Sequence, residues 1–257
     1  MVNINVRKNT VLKTLNVSGN AGITALALGY NHILEDLNAA NTGLTDIDLS
    51  DNLVIKTLNL SGCAGIHGIN IIANTALVDL NVSGTSITSL DVSNTPITSL
   101  NVNGASLESL TITGALNCLL GQYVVASGIK GVIFYANDVV KILSIDETSK
   151  IWGRDGATNT NILLSTGGSY DAAEWCRNKG ESWYLPAVDE AKDIIKNCSI
   201  LNDTLSSIGG IQLKTSSPYW TSTEKGTASV YYYRINGGTG SSYTKGNNYS
   251  VRAIRAL

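Results

Sequence analysis

Histidine is nearly missing from this chain. It occurs twice in 257 residues, as His32 and His67, and never after residue 118. A Ser-His-Asp arrangement or a histidine-bearing metal site is therefore excluded from residues 119–257. Cysteine is sparse as well. Cys63, Cys118, Cys176 and Cys198 are too few and too scattered for a disulfide scaffold, and no C-x-x-C occurs. A Cys176–Cys198 pair and two free buried thiols both fit the spacing, so cysteine usage leaves the redox compartment open. No run of 18 apolar residues exists, which excludes a membrane-spanning helix. The opening Met-Val-Asn-Ile-Asn-Val-Arg-Lys has no signal-peptide apolar core. There is no G-x-x-x-x-G-K-[ST] and no strand–G-x-G-x-x-G–helix, so nucleotide-binding loops are not expected. No D-x-D-x-D-G loop is present to make calcium ligands of the aspartates. No cofactor and no metal are expected.

Aromatic residues are missing from the first part of the chain. Trp, Tyr and Phe number 4, 11 and 1, and only Tyr30 precedes residue 119. Charge shifts at the same place: residues 1–118 hold 4 Lys/Arg and 8 Asp/Glu, and residues 119–257 hold 14 and 12. Neither part is basic enough to point to nucleic acid. With no Pro-rich or Ser-rich linker, the reading is two adjoining domains, 1–118 and 119–257.

What the first part has is a period. A large aliphatic residue returns every ten or eleven positions: Leu15, Leu26, Leu37, Ile47, Leu58, Ile69, Leu80, Leu90, Leu100 and Leu110. Each unit reads roughly L-x-x-L-x-V/L-S-x-N. Segments such as Leu15-Asn16-Val17 alternate as half-buried strands do. Fixed-period self-similarity predicts a solenoid. Alternate units sum to 20–22 residues, leaving no room for a long helix, so a strand is expected on each side of every coil. Asn20, Asn31, Asn41, Asn52 and Asn74 follow their strands and are expected to satisfy open backbone groups at the turns. Cys63 takes the same slot and reads as structural. His32 and His67 fall in repeat turns and read as exposed loop residues. The outward positions are mostly small, without the Trp, Tyr and Arg that dominate binding hot spots. This segment therefore reads as a spacer rather than a ligand face.

The repeat resembles bacterial leucine-rich-repeat surface proteins of the internalin-like kind over about residues 10–118. That family uses periods of about 20–29 residues. The resemblance implies a parallel-β leucine-rich-repeat solenoid. Little sequence precedes the first unit, so a truncated or late-started chain is expected. Its uncovered first coil is expected to favour self-association.

The second part reads as α+β. Strands are expected at about 130–136, 139–145, 229–235 and 249–256, and helices at about 170–179 and 187–197. Gly180 stops the first helix and Pro186 opens the second, with Asp189 and Glu190 in its first turn. Residues 236–248 are rich in Gly, Ser, Thr and Asn and read as a loop. Trp175, Trp183 and Trp220 read as core residues. Arg252 and Arg255 read as partners of carboxylates. Tyr231, Tyr232 and Tyr233 alternate along a strand, so Tyr232 and Arg234 share one face. The candidate ligand-binding surface is Trp220, Tyr232 and Arg234, with Tyr243 and Lys245 from the following loop.

Several segments in order carry a second resemblance: Gly131-Val132-Ile133-Phe134-Tyr135, Ile151-Trp152-Gly153, Ala172-Ala173-Glu174-Trp175-Cys176, Trp183-Tyr184-Leu185-Pro186, Tyr219-Trp220-Thr221-Ser222-Thr223 and Val251-Arg252-Ala253-Ile254-Arg255. Residues 120–257 resemble a bacterial domain family of unknown function that includes the C-terminal domain of collagen-like adhesins. The resemblance implies a C-type-lectin-like fold, a secreted or cell-surface location, and binding of a glycan or protein. The calcium-dependent sugar tripeptides of true C-type lectins are absent. Ala191 departs from the family's larger apolar residue after the Asp-Glu pair. Together these features imply a non-enzymatic adhesion or binding protein whose ligand the sequence does not name. Two alternatives stand beside it. One is an oxidase-like enzyme on a formylglycine-generating type of fold using Cys176 and Cys198, although their surroundings do not match that pattern. The other is a purely structural assembly module.

Overall fold

In the computed structural model the chain divides into two compact units, Met1–Gly128 and Ile129–Leu257. The described residues are 4–112, 117–126, 129–136, 139–150, 171–226, 229–244 and 246–257. The segment Ile151-Trp152-Gly153 and Lys245 lie outside them.

The first unit is a parallel β-solenoid. Its strands are β1 (Thr14–Asn16), β2 (Asp36–Asn38), β3 (Thr57–Asn59), β4 (Asp79–Asn81), β5 (Ser89–Asp91), β6 (Ser99–Asn101) and β7 (Ser109–Thr111), followed by β8 (Tyr123–Ala126). One sheet runs β1-β2-β3-β4-β6, all parallel, with Leu15, Leu37, Leu58, Leu80 and Leu100 in register. Two aliphatic periods therefore make one coil. The middle residue of each three-residue strand points inward and its neighbours outward, as strand alternation requires. Leu37, Leu58, Leu80 and Leu100 are at most 1% exposed, and burial of this kind stabilises by about 1.5–3 kcal/mol per leucine.

The opposite side differs from the expected strand in every coil. There β5 and β7 pair in parallel, Leu90 on Leu110, and Ile4 bridges Leu26. No such ladder joins Asp46–Ser50 to Gly68–Ile72, and a cleft of about 350 Å³ opens between those segments. Coil length does not decide the pairing: Leu90 to Leu110 spans 20 residues and Ile4 to Leu26 spans 22, and both pair, whereas Ile47 to Ile69 also spans 22 and does not.

Two columns of turn residues hold the coils. In one, buried Asn31 donates its amide to the carbonyls of Val6 and Asn9, Asn52 to those of Leu28 and Asn31, and Asn74 to those of Leu49 and Asn52, at 2.8–3.3 Å. Each bond reaches back one coil. The other column corrects the expectation for Asn20 and Asn41. Asn20 is exposed and bonds only its own turn, at Val17 and Ser18. The buried slot beside Cys63 is filled by Thr42, whose hydroxyl donates to the Ala39 carbonyl at 2.8 Å. Cys63 Sγ lies 3.1 Å from that carbonyl, in keeping with a structural role. Asn41 instead has φ 54°, in line with Gly19, Gly62, Gly84 and Gly104 at 67–76°. Asn is among the few side-chain-bearing residues that tolerate this left-handed turn.

The last coil is covered by β8. Gly104 N–H donates to the Tyr123 carbonyl at 2.8 Å and Val125 N–H to the Ala105 carbonyl at 2.9 Å. The Gln122 amide accepts from Val102 N–H and donates to the carbonyls of Leu100 and Cys118, at 2.6–2.7 Å.

The second unit is α+β. Its elements are β9 (Ile129–Ala136), β10 (Val139–Ser144), β11 (Thr148–Lys150), α1 (Asp171–Arg177), α2 (Val188–Lys196), α3 (Cys198–Ser207), β12 (Tyr219–Gly226), β13 (Ser229–Arg234), β14 (Gly238–Thr244), β15 (Tyr249–Val251) and β16 (Ile254–Ala256). β10 pairs antiparallel with β9 and β16. A second sheet runs β11-β15-β12-β13-β14, antiparallel except for the β12–β15 pair. The expected loop at 236–248 is corrected here: its middle is β14, paired along β13 from Arg234–Gly238 to Ser229–Thr244. The expected strand at 249–256 is two strands, β15 and β16, separated by buried Arg252 and Ala253. Among the described residues no helix is long and apolar enough to cross a membrane.

Candidate functional site

The sheet brings three of the residues singled out in the sequence onto one face. In the β12–β13 pairing Trp220 lies opposite Tyr232, and on β14 Gly240 lies opposite Tyr232 in turn. Trp220 is fully buried. Its indole packs against the Tyr249 ring, 4.4 Å between centroids and tilted by 40°. Tyr232 and Tyr249 are half-buried, 6.5 Å apart and inclined at 59°. The Arg234 guanidinium sits 5.3 Å from the Tyr232 ring centroid, a cation–π arrangement that fixes a long side chain against a flat one. The result is an aromatic surface with Trp220 in support and Tyr232, Tyr249 and Arg234 partly open.

Tyr243 is placed on β14 opposite Val230; its side chain and Lys245 lie outside the described residues. Sequence reading missed Tyr249, Asn247 and Gly240. The Asn247 amide donates to the Tyr249 hydroxyl at 3.0 Å. A methyl group on Gly240 would overlap the Tyr232 ring, so that position needs glycine for the ring to lie flat on the sheet. The signal for Tyr249 was its place two residues before Val251 in a strand. For Gly240 there was none, because the cross-strand partner is not visible in one chain segment.

Polar clusters brace the face from within. On the other side of β12–β13, Tyr219 and Tyr233 stack at 4.9 Å and 16°. Tyr219 donates its hydroxyl to Glu147, which also accepts from Ser250 at 3.3 Å and pairs with Lys214 at 2.5 Å. Arg252, with no exposed side-chain surface, lies 3.6 Å from Glu147 and donates to the Ser144 and Ile211 carbonyls. Burial pushes the Tyr219 and Tyr233 hydroxyls well above the usual phenolic range. These groups are held neutral as donors and spacers; none is poised to exchange a proton near neutral pH.

Apart from exposed Cys118, the thiols are buried, and Asp46 and Asp48 are engaged by backbone N–H groups. Cys63, Cys118, Cys176 and Cys198 are all free thiols. Burial raises the pKa of Cys176 and Cys198, the opposite of the lowered value a reactive thiolate needs. Asp46 and Asp48, beside the solenoid cleft, accept from the Ile47 and Ser50 backbone N–H at 2.8 and 2.9 Å. Among the described residues no group of three His, Cys, Asp or Glu side chains is placed to hold a metal ion.

No protein-family model matches this chain, and no curated protein matches it in sequence. Among solved structures, it is similar to the functional domain of InlJ from Listeria monocytogenes, which includes a cysteine ladder, at 16% identity and a TM-score of 0.42, over 93% of this chain and 49% of that one. A fimbrial protein from Bacteroides ovatus ATCC 8483 is similar at 14% identity and a TM-score of 0.42, over 62% of this chain and 51% of that one. The chain thus spans about half the length of either structure. Both overlaps are too loose to transfer a fold or a role.

Proposed function

We propose that this is a non-enzymatic extracellular binding protein, in which the solenoid spaces or presents a C-type-lectin-like second unit whose Tyr232–Tyr249–Arg234 face recognises a glycan or a protein. The observation that carries this reading is the pairing of two partly open tyrosine rings with a guanidinium, on a sheet face braced from below by buried Trp220. Aromatic and arginine side chains supply most of the energy in binding surfaces of this kind. The lectin-like fold and the surface location rest on the order of sequence motifs described above. The absence of enzymatic activity is supported by a second unit without histidine and by buried, protonated thiols.

The test is a glycan array combined with a pull-down from host and envelope proteins, using the whole chain. Tyr232→Ala and Tyr249→Ala should each weaken capture on the order of tenfold or more while leaving the circular dichroism spectrum unchanged. Capture undiminished in both variants would place recognition elsewhere.

A further inference from the structure

The outward face of the solenoid sheet carries a row of asparagines, Asn16, Asn38, Asn59, Asn81 and Asn101, all in register. In every one the side-chain oxygen accepts the backbone N–H two residues on, at Ser18, Ala40, Ser61, Ser83 and Asn103, at 3.0–3.1 Å. An amide has one oxygen and one nitrogen, so spending the oxygen on the turn fixes where the NH₂ group stands. Among the described residues none accepts from these five NH₂ groups. They form a rigid line of donors at the spacing of parallel strands, about 4.8 Å, extending over roughly 19 Å. Beside it runs a line of acceptors, Thr14, Asp36, Thr57, Asp79 and Ser99.

We propose that this row binds a linear, uncharged polysaccharide lying along the solenoid axis, across the strands. Three features select that partner. Each coil offers a donor next to an acceptor, which suits hydroxyl pairs that both accept and donate. The outward positions of these strands bear no Lys or Arg and two Asp, and the neighbouring Lys13 and Lys56 are both paired with Glu35, so nucleic acids and sulfated or carboxylated chains gain little from the cations beside the row. The period separates glycan from peptide. An extended peptide presents groups on one side about every 6.6 Å and loses register within two or three coils. One extended pyranose unit advances a chain by about one coil spacing. Because the amides are locked by their turn bonds, binding orders few protein side chains.

The experiment is affinity gel electrophoresis of the intact chain in gels containing soluble β-1,4-glucan, β-1,4-mannan or β-1,4-xylan, with heparin as the anionic control. At least one neutral polymer should retard the protein, and heparin should not. The triple variant Asn38→Asp/Asn59→Asp/Asn81→Asp keeps the turn acceptors and removes the donors. Should the Asp form fold poorly, the triple variant to Ser withdraws the NH₂ donors without added charge, its shorter hydroxyl remaining at the turn. Either should reduce retardation at least tenfold when placed in a Tyr232→Ala background, in which any share of the aromatic face is already removed. Three outcomes overturn the proposal: retardation by none of the neutral polymers, retardation that survives the folded triple variant in that background, or retardation already abolished by Tyr232→Ala with the row intact. The shared background separates this row from the aromatic face of the second unit, so each reading can fail alone.

Discussion

The carboxylate of Glu190 and the ammonium of Lys141 meet inside the second unit, with side chains only 8% and 11% exposed. Tyr184 joins them, its hydroxyl 2.5 Å from Lys141 Nζ and 2.8 Å from Glu190 Oε1. The other Glu190 oxygen accepts the Ala187 backbone N–H at 2.7 Å, at the start of α2. One side chain thus anchors the helix start and neutralises a charge from strand β10.

That double duty sets the outcome of Glu190→Gln. The amide oxygen can still accept from Ala187, but Lys141 loses its counter-charge in a buried site. An uncompensated buried charge costs about 3–5 kcal/mol, which for a unit of this size lowers Tm by roughly 10 °C or more. Adding Lys141→Met to Glu190→Gln should restore most of the loss, because the charge goes with its partner. Differential scanning calorimetry of the single and double variants checks both halves of the statement. A single variant as stable as the parent would mean that Lys141 is neutral or hydrated there.

Alkaline pH should strip stability from the second unit. Tyr184, Tyr219 and Tyr233 all have raised pKa values, with burial the largest cause in each and Glu190 next at Tyr184. A raised value means that the folded state keeps the proton where the unfolded state releases it. The stabilisation is therefore whole below the unfolded tyrosine pKa of about 10 and is lost as pH rises above it. Three such groups give a slope of roughly 4 kcal/mol per pH unit while all remain protonated in the fold. Denaturant midpoints measured from pH 8 to 11.5 should fall only beyond pH 10. Tyrosinate absorbance at 295 nm should show these phenols ionising together with unfolding.

The solenoid was legible in the sequence because its period is carried by inward leucines, one per strand, and neighbouring coils repeat the same environment. Leu15 to Leu37 to Leu58 gives the coil directly. The side-chain-to-backbone detail was less legible. Asn41 and Thr42 are adjacent, and sequence alone does not tell which enters the buried slot and which takes the left-handed turn. Strand β14 was misread because Gly, Ser and Thr dominate it. Its strand character comes from pairing with β13, where Gly240 makes room for Tyr232; β-propensity is mostly such context. Helix α3 escaped notice for a related reason. Its Cys, Ser, Asn and Thr are poor helix formers, and the helix is held by burial of Cys198, Leu201 and Leu205. The aromatic face was half visible: alternation put Tyr232 with Arg234, but Tyr249 arrives from β15, many residues away.

Thiol chemistry separates the four cysteines. Cys118 is exposed and Cys63, Cys176 and Cys198 are buried. Reaction with a thiol-specific chromogenic reagent under native conditions should therefore release one equivalent quickly, lost in Cys118→Ser. The other three should react only on unfolding, since burial both hides Cys176 and Cys198 and disfavours their thiolates. A fast second equivalent that persists in Cys118→Ser would show a thiol open to reagents, and would revive the cysteine-based enzymatic alternative.

The buried asparagine column makes the sharpest stability contrast in the solenoid. Asn52 has its whole side chain inside and donates to Leu28 and Asn31 at 3.3 and 2.9 Å. Its own carbonyl accepts from Asn74 at 3.0 Å, so neighbouring links share a residue. Asn52→Ala removes two buried hydrogen bonds, each worth about 0.5–1.5 kcal/mol net, from carbonyls that keep their backbone donors, Asn31 N–H on Leu28 and Leu34 N–H on Asn31. It also leaves space beside Asn74. Asn20, by contrast, is exposed, and its carbonyl partners at Val17 and Ser18 regain solvent when the amide is removed. Asn52→Ala should lower the unfolding free energy by about 1–3 kcal/mol, and Asn20→Ala by a few tenths of a kcal/mol, roughly 0.5 or less. Urea denaturation followed by far-ultraviolet circular dichroism measures both. Equal losses at the two positions would mean that the column's strength lies in the turns themselves and not in the bonds between coils.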